Sequence, residues 1–253
     1  MIRHCHIARP MRRKFGSFRD RWKLESYGGP AVPTVFYGMY GDPELTRLRD
    51  HRSLAVVVWC GTDAMRNARR ALLKRENIRH VSTSVFISDT LSTHGLEYRE
   101  LNVVGSDLSH FQPEPPGDTV YAYVSRRNPA MYGAAVLNQV RELLPDVEFE
   151  VIGSPTDLSF PDGIRDAYRR AGVGVRFTPH DGAACQVLEM GCMGRRTVHN
   201  GRSPSAISWI GAEDAARSIT FELENPEPYE EVARRTREFV VDSPEWLEVE
   251  PWQ

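Results

Sequence analysis

Phe111-Gln112-Pro113-Glu114-Pro115-Pro116-Gly117 carries three prolines in seven residues, a density that excludes both a helix and a central strand. The stretch reads as a linker, and it divides a chain of 253 residues into halves of the same kind. Upstream, β-type runs at 34–37, 54–59, 78–82 and 98–103 alternate with helical patterns near 43–50, 62–76 and 84–94. Downstream, strands at 119–124, 147–152, 173–177 and 196–198 alternate with helices near 131–144, 161–171, 182–193 and 204–218, and a last helical stretch covers 228–240. Strands that alternate with helices predict an α/β protein with open parallel, Rossmann-like sheets, not a sandwich or a bundle. The expected organisation is a basic extension over 1–33, a first domain over 34–112, a second over 117–225, and a helix and tail over 226–253 that pack back on the first domain. Ligands of such sheets bind beyond the carboxyl ends of the strands, so the expected site is a cleft between two facing domains.

Composition is that of a globular protein, with 41% hydrophobic and 26% charged residues and a net charge of −2, which sets aside disordered and fibrous classes. The longest apolar run, 54–60, is too short to span a bilayer, and no apolar signal core follows the N-terminal arginines; the expectation is a cytoplasmic protein without a membrane span. Charge is uneven. Arg3, Arg9, Arg12, Arg13, Lys14, Arg19, Arg21 and Lys23 stand against Asp20 alone within 1–23, with Phe15, Phe18 and Trp22 interleaved, whereas the C-terminus is acidic. Such an arm suits phosphates and bases of DNA, or else pairs with the acidic tail of its own chain. His4, Cys5 and His6 are adjacent soft ligands without a visible fourth, so no metal and no cofactor are expected.

The residues after each strand are the candidates for chemistry. After 173–177 come His180, Asp181, Gly182, Ala183 and, eight positions beyond Asp181, Glu189. Asp181 with small Gly182 and Ala183 resembles a helix N-terminus open to a phosphate, and Glu189 falls about 12 Å further along the axis. A sugar nucleotide offers hydroxyls on both sides of a diphosphate to such a pair. The plainer alternative makes Asp181 an N-cap and Glu189 a solvated helix residue. His180 either donates to the ligand or caps the loop. In the first half, Gly61-Thr62-Asp63 ends the most apolar strand, with Asp63 the candidate for orienting or deprotonating an acceptor hydroxyl. Gly38 and Tyr40 occupy the equivalent place after the preceding strand.

Asp181 and Glu189, with the following Met190-Gly191-Cys192-Met193-Gly194-Arg195-Arg196-Thr197-Val198, resemble the GT-B glycosyltransferases whose signature is two acidic residues separated by seven, Asp standing here where Glu is usual. Gly105-Ser106-Asp107-Leu108-Ser109-His110-Phe111 is similar to the interdomain segment of that family, Tyr121-Ala122-Tyr123-Val124-Ser125-Arg126 to the first strand of its donor domain, and 147–153 to the second. The resemblance covers about residues 34–240 and implies the GT-B fold and a nucleotide-sugar co-substrate, a UDP-sugar, with no metal. It implies that Glu189 contacts the ribose, Asp181 the donor sugar, and Gly153 with Ser154 and Pro155 the base. Arg126 supplies one cation for the diphosphate; Tyr132, before Gly133, replaces the usual lysine, and Arg127 or Arg195 would compensate. Transfer with retention is implied, the departing diphosphate taking the acceptor proton. Short members of this shape are similar to bacteriophage enzymes of the host cytoplasm, which favours a hydroxymethylated DNA base as acceptor. A protein or glycan acceptor, or a non-catalytic sugar-nucleotide-binding protein, are the alternatives.

Overall fold

A computed structural model describes residues 1–12, 17–154, 157–159, 161–179, 181–182 and 184–252. The chain forms two compact units, one of Met1–Asp107, His180–Ala183 and Val240–Gln253, the other of Leu108–Pro179 and Ala184–Phe239.

The first unit contains, in chain order, β1 (His4–Ile7), α1 (Ser17–Arg21), β2 (Glu25–Ser26), β3 (Thr34–Tyr37), α2 (Asp42–Asp50), β4 (Ala55–Val58), α3 (Thr62–Asn67), β5 (Ile78–Ser82), α4 (Val85–Thr93) and β6 (Tyr98–Glu100). Among the described residues its strands form one parallel sheet in the order β2-β1-β3-β4-β5-β6. All four residues of β4 are buried, as a central parallel strand covered on both faces requires. Phe36, Val57, Trp59, Ile87 and Leu91 lead its core, each fully buried aliphatic or aromatic side chain contributing about 2 kcal/mol relative to exposure.

Residues 1–33 are thus not an extension. His4–Ile7 is an inner strand of the sheet, and Phe18, at 0% exposure, stacks 4.4 Å from Tyr37 while Trp22 meets Trp246 at 5.6 Å. The strand is only four residues long and holds two histidines, so neither length nor composition marks it as a strand. Successive side chains of a strand point to opposite faces, so Cys5 turns away from His4 and His6; among the described residues no group of three or more His, Cys, Asp or Glu is placed to hold a metal ion. Arg21 bonds the carboxylate of Asp242 at 3.0 Å, and Ile2, Arg79 and Asn102 bond the backbone of 241–252. Arg21 of the basic segment thus pairs with the acidic tail of its own chain, while Arg13, Lys14 and Phe15 lie outside the described residues.

The second unit runs β7 (Thr119–Tyr123), α5 (Ala134–Leu143), β8 (Phe149–Ile152), α6 (Asp162–Arg170), β9 (Ala171–Val175), α7 (Cys185–Cys192), β10 (Arg196–Val198), β11 (Ala206–Ile207), α8 (Ala212–Glu224) and α9 (Tyr229–Phe239). Its sheet is parallel, in the order β11-β10-β9-β7-β8. β9 shows why both faces fill. Val173 and Val175 enter the core with Val120, Leu137 and Ile219, while Gly172 and Gly174 face the other way. A Cβ at 174 would lie 2.6 Å from Met190 Sδ, so the Met190 side chain of α7 occupies the space that the glycine leaves. Expected helix 204–218 is instead β11 followed by α8. Ser203-Pro204 resembles a helix start, but the chain makes a single turn closed by Ala206 N–H to the Ser203 carbonyl at 2.9 Å and then enters β11.

The boundary between the units falls at 107/108, ahead of the proline stretch. Phe111 is wholly buried, and the carbonyls of Glu114 and Pro115 each accept from Arg195 at 2.8 Å. Proline forbids regular structure at 113–116 but leaves these carbonyls as acceptors, so the segment is part of the second unit.

His80, 4% exposed, accepts from Trp59 Nε1 at 3.2 Å and donates to the carbonyl of Leu73 at 3.0 Å; the two bonds need the neutral ring. Burial pulls its pKa from 6.5 down to about 4. As pH falls, the unfolded chain takes the proton first, so the stabilisation is complete above 6.5 and is lost between 6.5 and 4, by up to roughly 3 kcal/mol. Asp63, raised to about 6 by burial, acts in the opposite sense over 6 to 4. His80→Gln, which keeps one acceptor and one donor, isolates the histidine: the signed slope of its urea unfolding free energy against pH in that window is lower than that of wild type by up to one proton.

Candidate functional site

In both sheets the order of strands reverses direction, at β1/β3 in the first unit and at β7/β9 in the second, and a crevice beyond the carboxyl ends at such a reversal is where α/β sheets hold ligands. In the second unit that place is formed by 124–127 after β7, 153–154 after β8 and 176–179 after β9. Gly133, with φ +70°, caps α5, and a Cβ there would collide with the Phe177 carbonyl, so the β7–α5 connection lies directly against β9.

Glu189 lies in the middle of α7, all eight residues of which are buried. Its carboxylate is 1% exposed and accepts a hydrogen bond from the Tyr168 hydroxyl at 2.9 Å. It is not the solvated residue of the plainer reading. Tyr121 stands edge-on to Tyr168, 4.8 Å between ring centres. Burial, then the charge of Glu189, raise the pKa of both phenols above the ordinary value, which keeps their hydroxyls protonated and able to donate.

Arg126, Gly153 and Ser154 are brought together, by a residue the sequence reading did not single out. Asp157 Oδ2 accepts from Arg126 at 2.9 Å, from the Ser154 N–H at 2.9 Å and from the Gly153 N–H at 3.2 Å. Arg126 and Arg127 are both exposed; Pro155 lies outside the described residues. A second cation was also missed. Arg176 follows β9, and its guanidinium sits 5.5 Å over the ring of Tyr132, which is itself edge-on to Tyr123 at 5.1 Å. Tyr132 therefore seats a cation at the place where the resemblance leads one to expect a lysine. The criterion that picked out Arg126, a cation just past a strand at the reversal, applies equally to Arg176.

Arg195 is no ligand contact. It is 0% exposed, and its guanidinium donates to the carbonyls of Tyr168, Glu114, Pro115, Arg169 and Met193. Burial lowers its pKa to about 10, still charged at neutral pH.

Asp181 and Glu189 do not share a helix. α7 begins at Cys185 after Ala184, whereas Asp181 and Gly182 belong to the first unit. The Asp181 carbonyl accepts from Ser84 Oγ at 2.9 Å, and a Cβ on Gly182 would strike the Cys60 carbonyl. The Cα of Gly182 is thus packed against the backbone of 60–61. His180 and Ala183 lie outside the described residues.

Asp63 also changes role. It is 0% exposed and accepts from the N–H groups of Met39 at 2.9 Å and Cys60 at 3.1 Å, fastening the loop after β3 to the loop after β4. Burial raises its pKa to about 6 against the opposing pull of these N–H groups. A carboxylate so enclosed holds the two loops to each other. Gly61, at φ +138°, caps α3 and Thr62 opens it. Gly38, at φ +79°, has the Tyr40 ring 3.0 Å from where a Cβ would stand.

The contrast between the two arginines is measurable. Arg195→Ala orphans several buried carbonyls and lowers the unfolding free energy in urea by about 3 kcal/mol or more; Arg126→Ala, removing a side chain 72% exposed, changes it by less than about 1 kcal/mol.

Neither a protein-family model nor a curated protein sequence matches the chain. Among the described residues no helix is long and apolar enough to cross a membrane. Solved structures do match. TarM superposes with a TM-score of 0.61 at 16% identity, over 87% of this chain and 53% of TarM. Sucrose-phosphate synthase from Thermosynechococcus elongatus gives 0.61 at 13% identity, over 89% of this chain and 72% of the synthase. The pneumococcal O-GlcNAc transferase GtfA, solved with UDP and GlcNAc, gives 0.50 at 9%, over 87% of this chain and 55% of GtfA. The chain spans about half the length of TarM and GtfA, and what it has in common with these glycosyltransferases is the GT-B fold.

Proposed function

We propose that this chain is a glycosyltransferase that takes its sugar from a UDP-sugar bound by the second unit. The observation that carries the reading is Glu189, a carboxylate removed from water and held by a phenol donor on a GT-B scaffold. Stripping a carboxylate of its water is costly unless polar partners replace it, and a carboxylate has about four acceptor positions. The Tyr168 hydroxyl is one such partner, and the resemblance to the GT-B enzymes assigns the donor's ribose to the same carboxylate.

In this reading Arg176 and Arg126 stabilise charge that builds on the departing diphosphate, and the diphosphate takes the acceptor proton as the sugar is transferred with retention. No enzymic base is then required, which accords with Asp63 being committed to the backbone. The acceptor is a hydroxyl. The DNA base rested on the likeness to short bacteriophage enzymes, with the basic arm as a further support that the burial of Phe18 and Trp22 and the bonding of Arg21 weaken. Hydroxymethylated DNA, protein and glycan hydroxyls are therefore compared side by side in a transfer assay. A non-catalytic nucleotide-sugar-binding protein is the second reading, favoured by Tyr132; donor hydrolysis without acceptor separates the two, since a binder gives none.

Glu189→Gln tests the donor site better than Glu189→Ala, because Gln keeps an acceptor for Tyr168. Calorimetry is expected to show UDP-sugar affinity reduced at least about tenfold, with the melting temperature within a few degrees of wild type. Unchanged affinity overturns the assignment.

A further inference from the structure

The connection from β4 to β5 carries a run of cations that its own unit does not neutralise. Between Thr62 and Arg75 stand Arg66, Arg69, Arg70, Lys74 and Arg75 against one acid, Asp63, and that carboxylate is buried and taken by backbone N–H groups. Arg75 is used inside the unit, donating to the carbonyls of Leu48, Arg49 and His51. Arg66, Arg69, Arg70 and Lys74 are exposed, and among the described residues none of these four side chains makes an ion pair or a hydrogen bond. In the second unit, by contrast, Arg165, Arg169, Arg170, Arg217, Arg234 and Arg235 each meet a carboxylate at 2.5 to 3.3 Å.

What the four cations suit follows from their surroundings. Ala64, Ala68 and Leu73 are buried and Leu72 packs on the core, which leaves Met65, 47% exposed, as the one large apolar side chain at the surface of this stretch. A lipid surface needs an apolar face to insert. No aromatic residue lies within 61–77, so unpaired bases have nothing to stack on. The stretch leaves the carboxyl end of β4 and enters the amino end of β5, its parallel neighbour, and therefore runs the length of the sheet, roughly 15 Å for strands of this size. Cations spread along such a path match a line of charge better than a single anion, and a nucleic acid duplex presents one charge in about 1.7 Å of its axis.

We propose that Arg66, Arg69, Arg70 and Lys74 form a docking surface for the phosphate backbone of a nucleic acid duplex, bound without regard to sequence. Affinity comes from the counterions that the cations displace from the phosphates. The inference does not rest on the donor site, since this binding needs no sugar nucleotide.

The test is fluorescence anisotropy of labelled duplex DNA, in two unrelated sequences, with the full chain over a range of salt concentrations. Both sequences are expected to bind alike, and the logarithm of the association constant is expected to fall against that of salt with a slope of about −3 to −4, as four neutralised phosphates require. A variant combining Arg66→Gln, Arg69→Gln, Arg70→Gln and Lys74→Gln is expected to lose at least about tenfold in affinity at low salt and to flatten the slope by about three. Should it not fold, Arg69→Gln with Arg70→Gln is expected to flatten the slope by about two. Arg217→Gln with Arg234→Gln, which removes two paired arginines of the second unit, is expected to keep the affinity and slope of wild type. A wild type that does not bind the duplex, a fourfold variant that binds it as wild type does, a tenfold preference for one sequence, or binding to phosphatidylglycerol vesicles and not to DNA overturns the inference, while the UDP-sugar reading stands.

Discussion

A guanidinium without water must place its N–H groups on acceptors or not be buried at all, and Arg195 meets that condition only where it stands. Its acceptors are backbone carbonyls from three places: 114–115 before β7, 168–171 at the junction of α6 and β9, and Met193 after α7. None of these segments can shift without stranding a charge. The position of α6 over the sheet, the packing of Phe111 on Tyr168, and through Tyr168 the setting of Glu189 all depend on this one side chain. With backbone carbonyls as the partners, the arrangement depends on where the chain runs and little on which side chains flank it.

The alternation of strands and helices was plain from the sequence because each long apolar run is bounded by polar or glycine-containing turns. β3, β4, β5, β7 and β10 lie within a residue or two of where periodicity puts them. What periodicity could not reveal were elements whose identity is decided by their neighbours. β1 is a strand because β2 and β3 flank it, not because His-Cys-His-Ile prefers one. α7 begins at Cys185, whereas Gly182 packs against Cys60, far away in sequence, in the first unit, so a local capping pattern at 181–183 misplaced the helix start.

The site was legible to the extent that function needs a residue type in a recognisable order. Glu189 stood out by its apolar surroundings, and those surroundings prove to be burial. Arg126 and Gly153 fell together because both follow strands. Asp63 and Arg195 were misread for a common reason: a charged residue near a strand end resembles a ligand contact until its hydrogen-bond partners are known, and theirs are the protein's own backbone. Tyr168, Asp157 and Arg176 carry no motif; the first two matter only through what they touch.

Asp63 accepts from the loops after both β3 and β4, and this has a consequence for how such a protein diversifies. Two loops tied to one buried carboxylate cannot change length separately, because an insertion in either moves its N–H away from the shared acceptor and leaves the other loop's bond to a carboxylate no longer satisfied. Novelty on this edge of the first sheet is therefore confined to exchanges of side chains on loops of constant length, or to paired insertions arriving together. The loops after β7 and β8 are joined instead by Arg126 and Asp157 near the surface, where water replaces a lost partner at little cost, and that edge is the freer one to vary.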